Sequence, residues 1–183
     1  MGQRARILTL PSETAGRSFV LEYINKPFAG QFALPPHFHP AWTETFDILA
    51  GHARCRIGGE EHDVPAGESV VMPPGAVHVH PWSASDKPLR VRHTAVADPV
   101  DERGLAAALQ TILTIFWLAS QGRVNRRGAP NLLQLAVLAE TTMPATFVPG
   151  PPMAVQRVAI KLLAAVGRSL GYRVTYPGGG VLP

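Results

Sequence analysis

The sequence predicts a mainly β fold: an antiparallel β-barrel followed by about three α-helices. Two observations lead to this prediction. Before Asp98, short apolar runs alternate with Gly and Pro turn signals, which is typical of a sandwich or a barrel. After Asp98, apolar residues recur at helical spacing. We therefore divide the chain into a barrel, residues 1–98, and a helical extension, residues 99–183, which packs on the barrel or on a partner subunit.

Eight short segments have the composition of strands. They are residues 7–10, 18–24, 31–34, 43–49, 53–57, 68–72, 77–82 and 89–95. The Gly58-Gly59 pair predicts a hairpin turn after the fifth of them. Cys55 is the only cysteine, so no intrachain disulfide can form and a buried structural thiol is expected.

Three helices are predicted after residue 98. Asp98 suits the N-cap of the first helix, Pro99 suits its first position, and Gly122 would end it. The second helix is expected from residue 131 to about 141 and the third from residue 153 to about 170. Residues 104–122 carry no charge, but polar side chains interrupt them, so a buried helix is expected rather than a membrane span.

Positive charge is concentrated in the helical extension. Residues 121–183 hold seven Lys/Arg and one Glu, a net charge of +6, whereas residues 1–120 have a net charge of −2. On the third helix, Arg157, Lys161 and Arg168 share one face. We favour a solvated basic face on helices that pack against the barrel or a second subunit. Membrane-surface contact is the alternative, and no nucleic acid is expected because no binding motif accompanies the basic residues.

Two stretches carry side chains that suit one divalent transition metal. His37 and His39 would project from the same face of a strand because side chains alternate along it. Pro40 interrupts that strand, so Glu44 can face back toward the histidines from the next strand. His78 follows a strong turn signal at residues 73–75. Imidazole and carboxylate ligands suit Fe, Mn, Ni, Cu or Zn, and four protein ligands would leave two positions open on a six-coordinate ion.

This spacing resembles the cupin family. The first stretch reads His-x-His, four residues, Glu, six residues, Gly, and the second reads Gly, five residues, Pro-x-Gly, two residues, His. The resemblance covers roughly residues 17–98 and implies a small barrel with the metal ligands in its interior. Two departures alter the pocket: Trp82 stands where many cupins have asparagine, and His80 is an additional histidine.

The resemblance implies a metal-dependent small-molecule enzyme, and we favour an oxygenase similar to the flavonol-cleaving cupins. Glu44 would be a ligand that can also act as a base. The pocket is predicted from side-chain parity to include Phe46, Ile48, His80 and Trp82, which favours an apolar or aromatic substrate.

The alternative is a non-catalytic binding cupin whose tail mediates dimerisation or membrane contact. We also expect a homodimer and, since residues 1–10 lack a signal-peptide core, a cytoplasmic location.

Overall fold

The structure is a computed structural model that describes residues 4–25, 34–143 and 145–178. Within these residues the chain forms eight β-strands followed by three α-helices, which confirms the predicted fold class. The strands are β1 (Arg4–Thr9), β2 (Ser18–Asn25), β3 (Trp42–Ala50), β4 (His52–Ile57), β5 (Glu60–Pro65), β6 (Ser69–Met72), β7 (His78–Ser83) and β8 (Leu89–Ala97).

The strands form two antiparallel sheets. One has the order β1-β2-β8-β3-β6 and the other has the order β5-β4-β7. In β2, and in β3 up to residue 49, buried and half-buried residues alternate, because one face of each strand packs on a core. That core includes Phe19, Leu21, Phe46, Ile48 and Val91.

Seven of the predicted strands correspond to observed ones, and the predicted segment 31–34 lies almost entirely outside the described residues. The sequence did not predict β5, because Val64 is its only buried residue and a polar edge strand has no apolar run. The hairpin predicted between β4 and β5 is present. Gly58 and Gly59 have φ values of +60° and +93°, the left-handed conformations that two-residue hairpin turns require.

The helices are α1 (Glu102–Ser120), α2 (Leu132–Thr142) and α3 (Met153–Ser169). The predicted N-cap of α1 at Asp98 is wrong. The Asp98 N–H donates to the Ala41 carbonyl, so this residue still belongs to the barrel. Asp101 is the N-cap, because its carboxylate accepts a hydrogen bond from Gly104 N at 2.9 Å.

By length and composition α1 could cross a membrane. Nine of its residues are buried, however, and Leu105, Leu109 and Phe116 belong to the same apolar core as the barrel strands. The other two helices pack on each other, with Gly167 of α3 against Val137 of α2. The helical extension therefore lies over one part of the barrel, with α1 in direct contact with it.

Candidate metal centre

The backbone brings the two histidine-containing stretches side by side. The N–H of His37 donates to the carbonyl of His78 at 3.0 Å, and the N–H of His78 donates to the carbonyl of His37 at 2.8 Å. Gly75 N donates to the carbonyl of His39 at 2.8 Å. These bonds fix the register of the two stretches, so three imidazoles enter the barrel next to one another.

Glu44 lies at the centre of the histidines. Its Oε2 is 3.3 Å from His39 Nε2, 3.0 Å from His78 Nε2 and 3.3 Å from His80 Nε2. Together with His37, these residues offer five donor atoms that lie within 4.8 Å of one another, and all five side chains are buried. The structure therefore gathers the four predicted ligands and adds His80, which the sequence analysis had assigned only to the substrate pocket.

Three of the histidines have their tautomers set by backbone carbonyls. Nδ1 of His37 is 2.9 Å from the Pro35 carbonyl oxygen, and Nδ1 of His78 is 2.9 Å from that of Ala76. Nδ1 of His39 is 3.0 Å from the Ala145 carbonyl oxygen. Because a carbonyl only accepts hydrogen bonds, each Nδ1 must carry the hydrogen. In the neutral rings, each Nε2 then has a free lone pair.

The donor set fits a divalent metal. The Nε2 atoms of His39 and His78 are buried and have no hydrogen-bond partner among the residues that the structure describes, although both lie beside a carboxylate. Buried polar atoms without partners cost free energy, and an ion among them would satisfy both. A metal-binding histidine commonly donates its other ring N–H to a carbonyl, which is the arrangement seen here. His37, His39, Glu44, His78 and His80 together fit a cupin metal site.

Electrostatics keep several of these groups in the protonation state that a metal requires. Burial, reinforced by the neighbouring histidines, holds the pKa of His37 well below its ordinary value. Burial likewise lowers the pKa of His80 to about 4, so both rings are neutral near pH 7. Burial opposes ionisation of Glu44, but His80, His39 and His93 together hold its pKa well below the usual range. Burial lowers the pKa of His39, but the Glu44 carboxylate beside it raises that pKa more.

His93 is a residue of the site that the sequence analysis missed. Its Nε2 is 2.8 Å from Glu44 Oε1, the carboxylate oxygen that does not face the other histidines. The ring stacks on Phe46 at 4.2 Å between centroids and meets the edge of Phe19 at 5.1 Å. His93 therefore holds one oxygen of Glu44 and leaves the other, Oε2, directed at the cluster.

An apolar cavity of about 130 Å³ opens onto the cluster of candidate metal ligands. The barrel side contributes His37, His39, Glu44 and His80. The helical side is mainly apolar and includes Ala108, Ile112, Leu135, Leu138 and Ile160. Thr111 also lines it, and its buried hydroxyl has no hydrogen-bond partner within the described part of the chain. The helices therefore form the wall that faces the candidate metal centre.

Three of the four residues predicted to line a pocket do not line this cavity. Phe46 and Ile48 do point inward, but they are fully buried in the barrel core. Being two and four residues beyond Glu44, they lie about 7 and 13 Å further along β3. Of the four, His80 is the residue that lines this cavity.

Trp82 leaves the predicted face because β7 is irregular. Arg54 of β4 pairs with Trp82 and Arg56 pairs with Val79, so β7 contains one extra residue between these pairs. The extra residue falls at His80 or Pro81, and proline is typical of such positions. Side-chain alternation therefore changes beyond His80, and Trp82 is half-buried away from the cavity.

Comparisons with known proteins give the following similarities. A family model described as "Cupin domain" matches residues 29–96, and no curated protein matches the chain. A solved structure of a predicted oxalate decarboxylase from Thermotoga maritima is 14% identical, with a TM-score of 0.47 over 52% of this chain and 80% of that one. A double-stranded β-helix protein from Klebsiella pneumoniae is 19% identical, with a TM-score of 0.44 over 55% of this chain and 81% of that one. A polyketide cyclase from Streptomyces resistomycificus is 24% identical, with a TM-score of 0.43 over 51% of this chain and 64% of that one.

Proposed function

We propose that this chain, whose residues 29–96 match the family model of the cupin domain, is a metal-dependent enzyme, an oxygenase that acts on a small apolar or aromatic substrate. The observation that supports the proposal is the convergence of histidine Nε2 lone pairs and Glu44 Oε2 at the end of an apolar cavity. Such a site combines a place for a redox-active metal with a place for an organic substrate.

Glu44, His37, His39 and His78 would hold the metal, with His80 beside them. When bound, a redox-active divalent metal such as Fe, Mn, Ni or Cu supplies open coordination positions and electron transfer to dioxygen, which is the oxidant. Glu44 supplies one negative charge that offsets the charge of the ion. Because the surrounding histidines hold the pKa of Glu44 well below its usual range, this carboxylate is a weak base and stays ionised, as a metal ligand must be. We therefore favour its role as ligand over its role as proton acceptor.

The size and the lining of the cavity support this substrate class. At about 130 Å³ it approaches the size of an engineered apolar cavity of roughly 150 Å³ that binds benzene. One aromatic ring, or a branched chain of similar size, would therefore fill it. The unpartnered hydroxyl of Thr111 offers one hydrogen bond to a polar substituent on such a molecule. Among the residues that the structure describes, no lysine or arginine lines the cavity, so none of them offers a countercharge to a phosphorylated substrate.

His80 supports a second candidate function. If all five donors bind one six-coordinate ion, a single position remains open. A chelating substrate together with dioxygen needs more than one position. A cupin in which His80 coordinates permanently would therefore bind a metal and a small ligand without oxygenase turnover. His80→Ala separates the two functions, since it opens a position without removing any of the four ligands predicted from the sequence.

The test begins with elemental analysis of the purified protein and of His37→Ala, which should retain far less metal. This variant should also unfold at a lower temperature, since bound metal stabilises the folded state by about 2.7 kcal/mol at a free concentration of 100 Kd. Oxygen consumption is then measured with flavonols, diketones and catechols. Turnover by the metal-replete wild type, lost in His37→Ala, is the expected result. If metal-replete protein and His80→Ala both consume no oxygen with any substrate of the panel, the oxygenase proposal fails.

A further inference from the structure

The outward face of α3 carries an apolar stripe that no other part of the described chain covers. Its members recur every three or four residues and are 50–65% exposed: Val155, Val158, Leu162 and Val166. The opposite face of the helix packs inward through Gln156, Ala164 and Gly167. A soluble surface helix ordinarily turns its apolar residues toward the core. Here four large apolar residues face outward, although others such as Ile160 face the protein.

Cations lie along one edge of this stripe. At 100° per residue, Arg157, Lys161 and Arg168 fall between the apolar stripe and the packed face. The sequence of α3 contains no acidic residue. Arg168 pairs with Glu140 of α2, and the Arg157 guanidinium lies 5.6 Å from the centre of the Phe147 ring. An apolar stripe with a basic edge and low overall hydrophobicity is the pattern of a helix that lies in a membrane interface.

We propose that α3 docks the protein on an anionic lipid surface, with its apolar stripe inserted among the headgroups. Charge favours this occupant over a second copy of the chain. Two α3 helices packed face to face would bring six cations to one interface with no acidic residue on either helix, and Glu140 of α2 already pairs with Arg168. Anionic headgroups supply the missing countercharge. The stripe is also narrow, because it consists of four side chains, whereas a stable protein–protein interface uses roughly 20–30 residues a side.

The charge of the whole chain would orient the docked protein. Residues 121–183 have a net charge of +6 and residues 1–120 have a net charge of −2. An anionic surface therefore attracts residues 121–183, which contain α2 and α3, and repels the rest of the chain, so that α3 approaches first.

Docking through α3 would bring the cavity close to the lipid. Gln156 and Ile160, on the inward side of α3, line the cavity, while Leu162 faces outward. One helix, about 10 Å thick, would thus separate the headgroup region from the cavity. An apolar molecule dissolved in the bilayer would then lie near the site. The docking proposal itself does not depend on the metal chemistry.

The test is co-sedimentation of the full chain with vesicles of phosphatidylcholine alone and of phosphatidylcholine mixed with phosphatidylserine. Leu162→Glu removes the most exposed member of the stripe. Val71→Glu is the matched control, because Val71 is 52% exposed on β6 of the barrel. Circular dichroism and thermal melts verify that both variants fold.

We expect the wild type and Val71→Glu to bind the phosphatidylserine vesicles and to be released by about 0.5 M salt. Leu162→Glu should lower the partition coefficient at least about tenfold, the factor that corresponds to removing one buried leucine side chain. The proposal is overturned if the wild type binds neither vesicle, or if Leu162→Glu binds as the wild type does. It is equally overturned if sedimentation velocity shows a dimer that Leu162→Glu dissociates while no vesicle is bound, since a second copy then covers the stripe.

Discussion

The hydrogen bond from His93 to Glu44 can be removed with little change in packing. In His93→Phe, a phenyl ring takes the place of an imidazole that already stacks on Phe46 at 4.2 Å and meets Phe19 edge-on at 5.1 Å. These aromatic contacts can persist in the variant. The contact of 2.8 Å between His93 Nε2 and Glu44 Oε1 is lost. The substitution therefore separates the positioning of Glu44 from the packing of the core.

The size of the effect follows from the burial of Glu44. The carboxylate is 3% exposed, so bulk water cannot replace the lost donor. A hydrogen bond to a charged group contributes about 1.5–3 kcal/mol, and since about 1.4 kcal/mol corresponds to a factor of ten, metal affinity should fall about 10–100-fold. Removing outer partners of metal ligands in other proteins costs a similar factor. His93→Phe should therefore bind metal more weakly while keeping all five donor atoms.

Calorimetric titration with Mn²⁺ and Zn²⁺ after chelator treatment measures this affinity. His52→Phe is the matched control, because it makes the same replacement at a side chain that is 52% exposed and outside the cluster. The control should bind metal as the wild type does. If His93→Phe also binds with unchanged affinity, the hydrogen bond does not position Glu44 and our account of His93 is refuted.

Two further predictions concern the helical extension. Thr111→Val should leave the free energy of unfolding unchanged or raise it by up to about 1 kcal/mol, because the hydroxyl has no partner among the described residues. If urea unfolding shows that the variant is less stable than the wild type, the hydroxyl is hydrogen-bonded and the prediction is wrong. Gly167→Ala should lower the free energy of unfolding by about 1–2 kcal/mol. A Cβ at this position would lie 2.9 Å from the Leu133 carbonyl oxygen. The resulting cost of overpacking exceeds the gain of about 1 kcal/mol that alanine brings in helix propensity. A more stable Gly167→Ala in the same assay would contradict the close packing of α3 on α2.

The core of the site was predictable because strand geometry is regular. His37 and His39 are two residues apart, and a turn at Pro40 was enough to bring Glu44 back toward them. The same regularity explains why His93 should have been found. In β8, Leu89, Val91 and Ala95 are buried at every second position, so His93 had to point inward. The signal was in the sequence, but a lone histidine on the apolar face of an alternating strand was interpreted as having no role.

Other features could not be obtained from local patterns. The parity argument failed at Trp82 because β7 gains a residue near Pro81, and only strand pairing reveals that irregularity. β5 was missed because a polar edge strand is held by backbone hydrogen bonds to its neighbour, not by apolar burial. The outward stripe of α3 depends on which face α2 covers, and Gly167 decides this by allowing close approach to Leu133. Each of these features is a property of the pairing between elements.

The helical extension belongs to the metal centre as much as the barrel does. The Ala145 carbonyl accepts from His39 Nδ1 at 3.0 Å, which sets the tautomer of a candidate ligand from 106 residues away. Phe38, between the two ligand histidines, exchanges backbone hydrogen bonds of 2.8 and 3.1 Å with Phe147. The segment after α2 is thus paired, through an isolated β-bridge, with the stretch that carries His37 and His39. Since α1 and α2 also form the apolar wall of the cavity, the change from strands to helices near residue 98 divides secondary structure but does not divide the site.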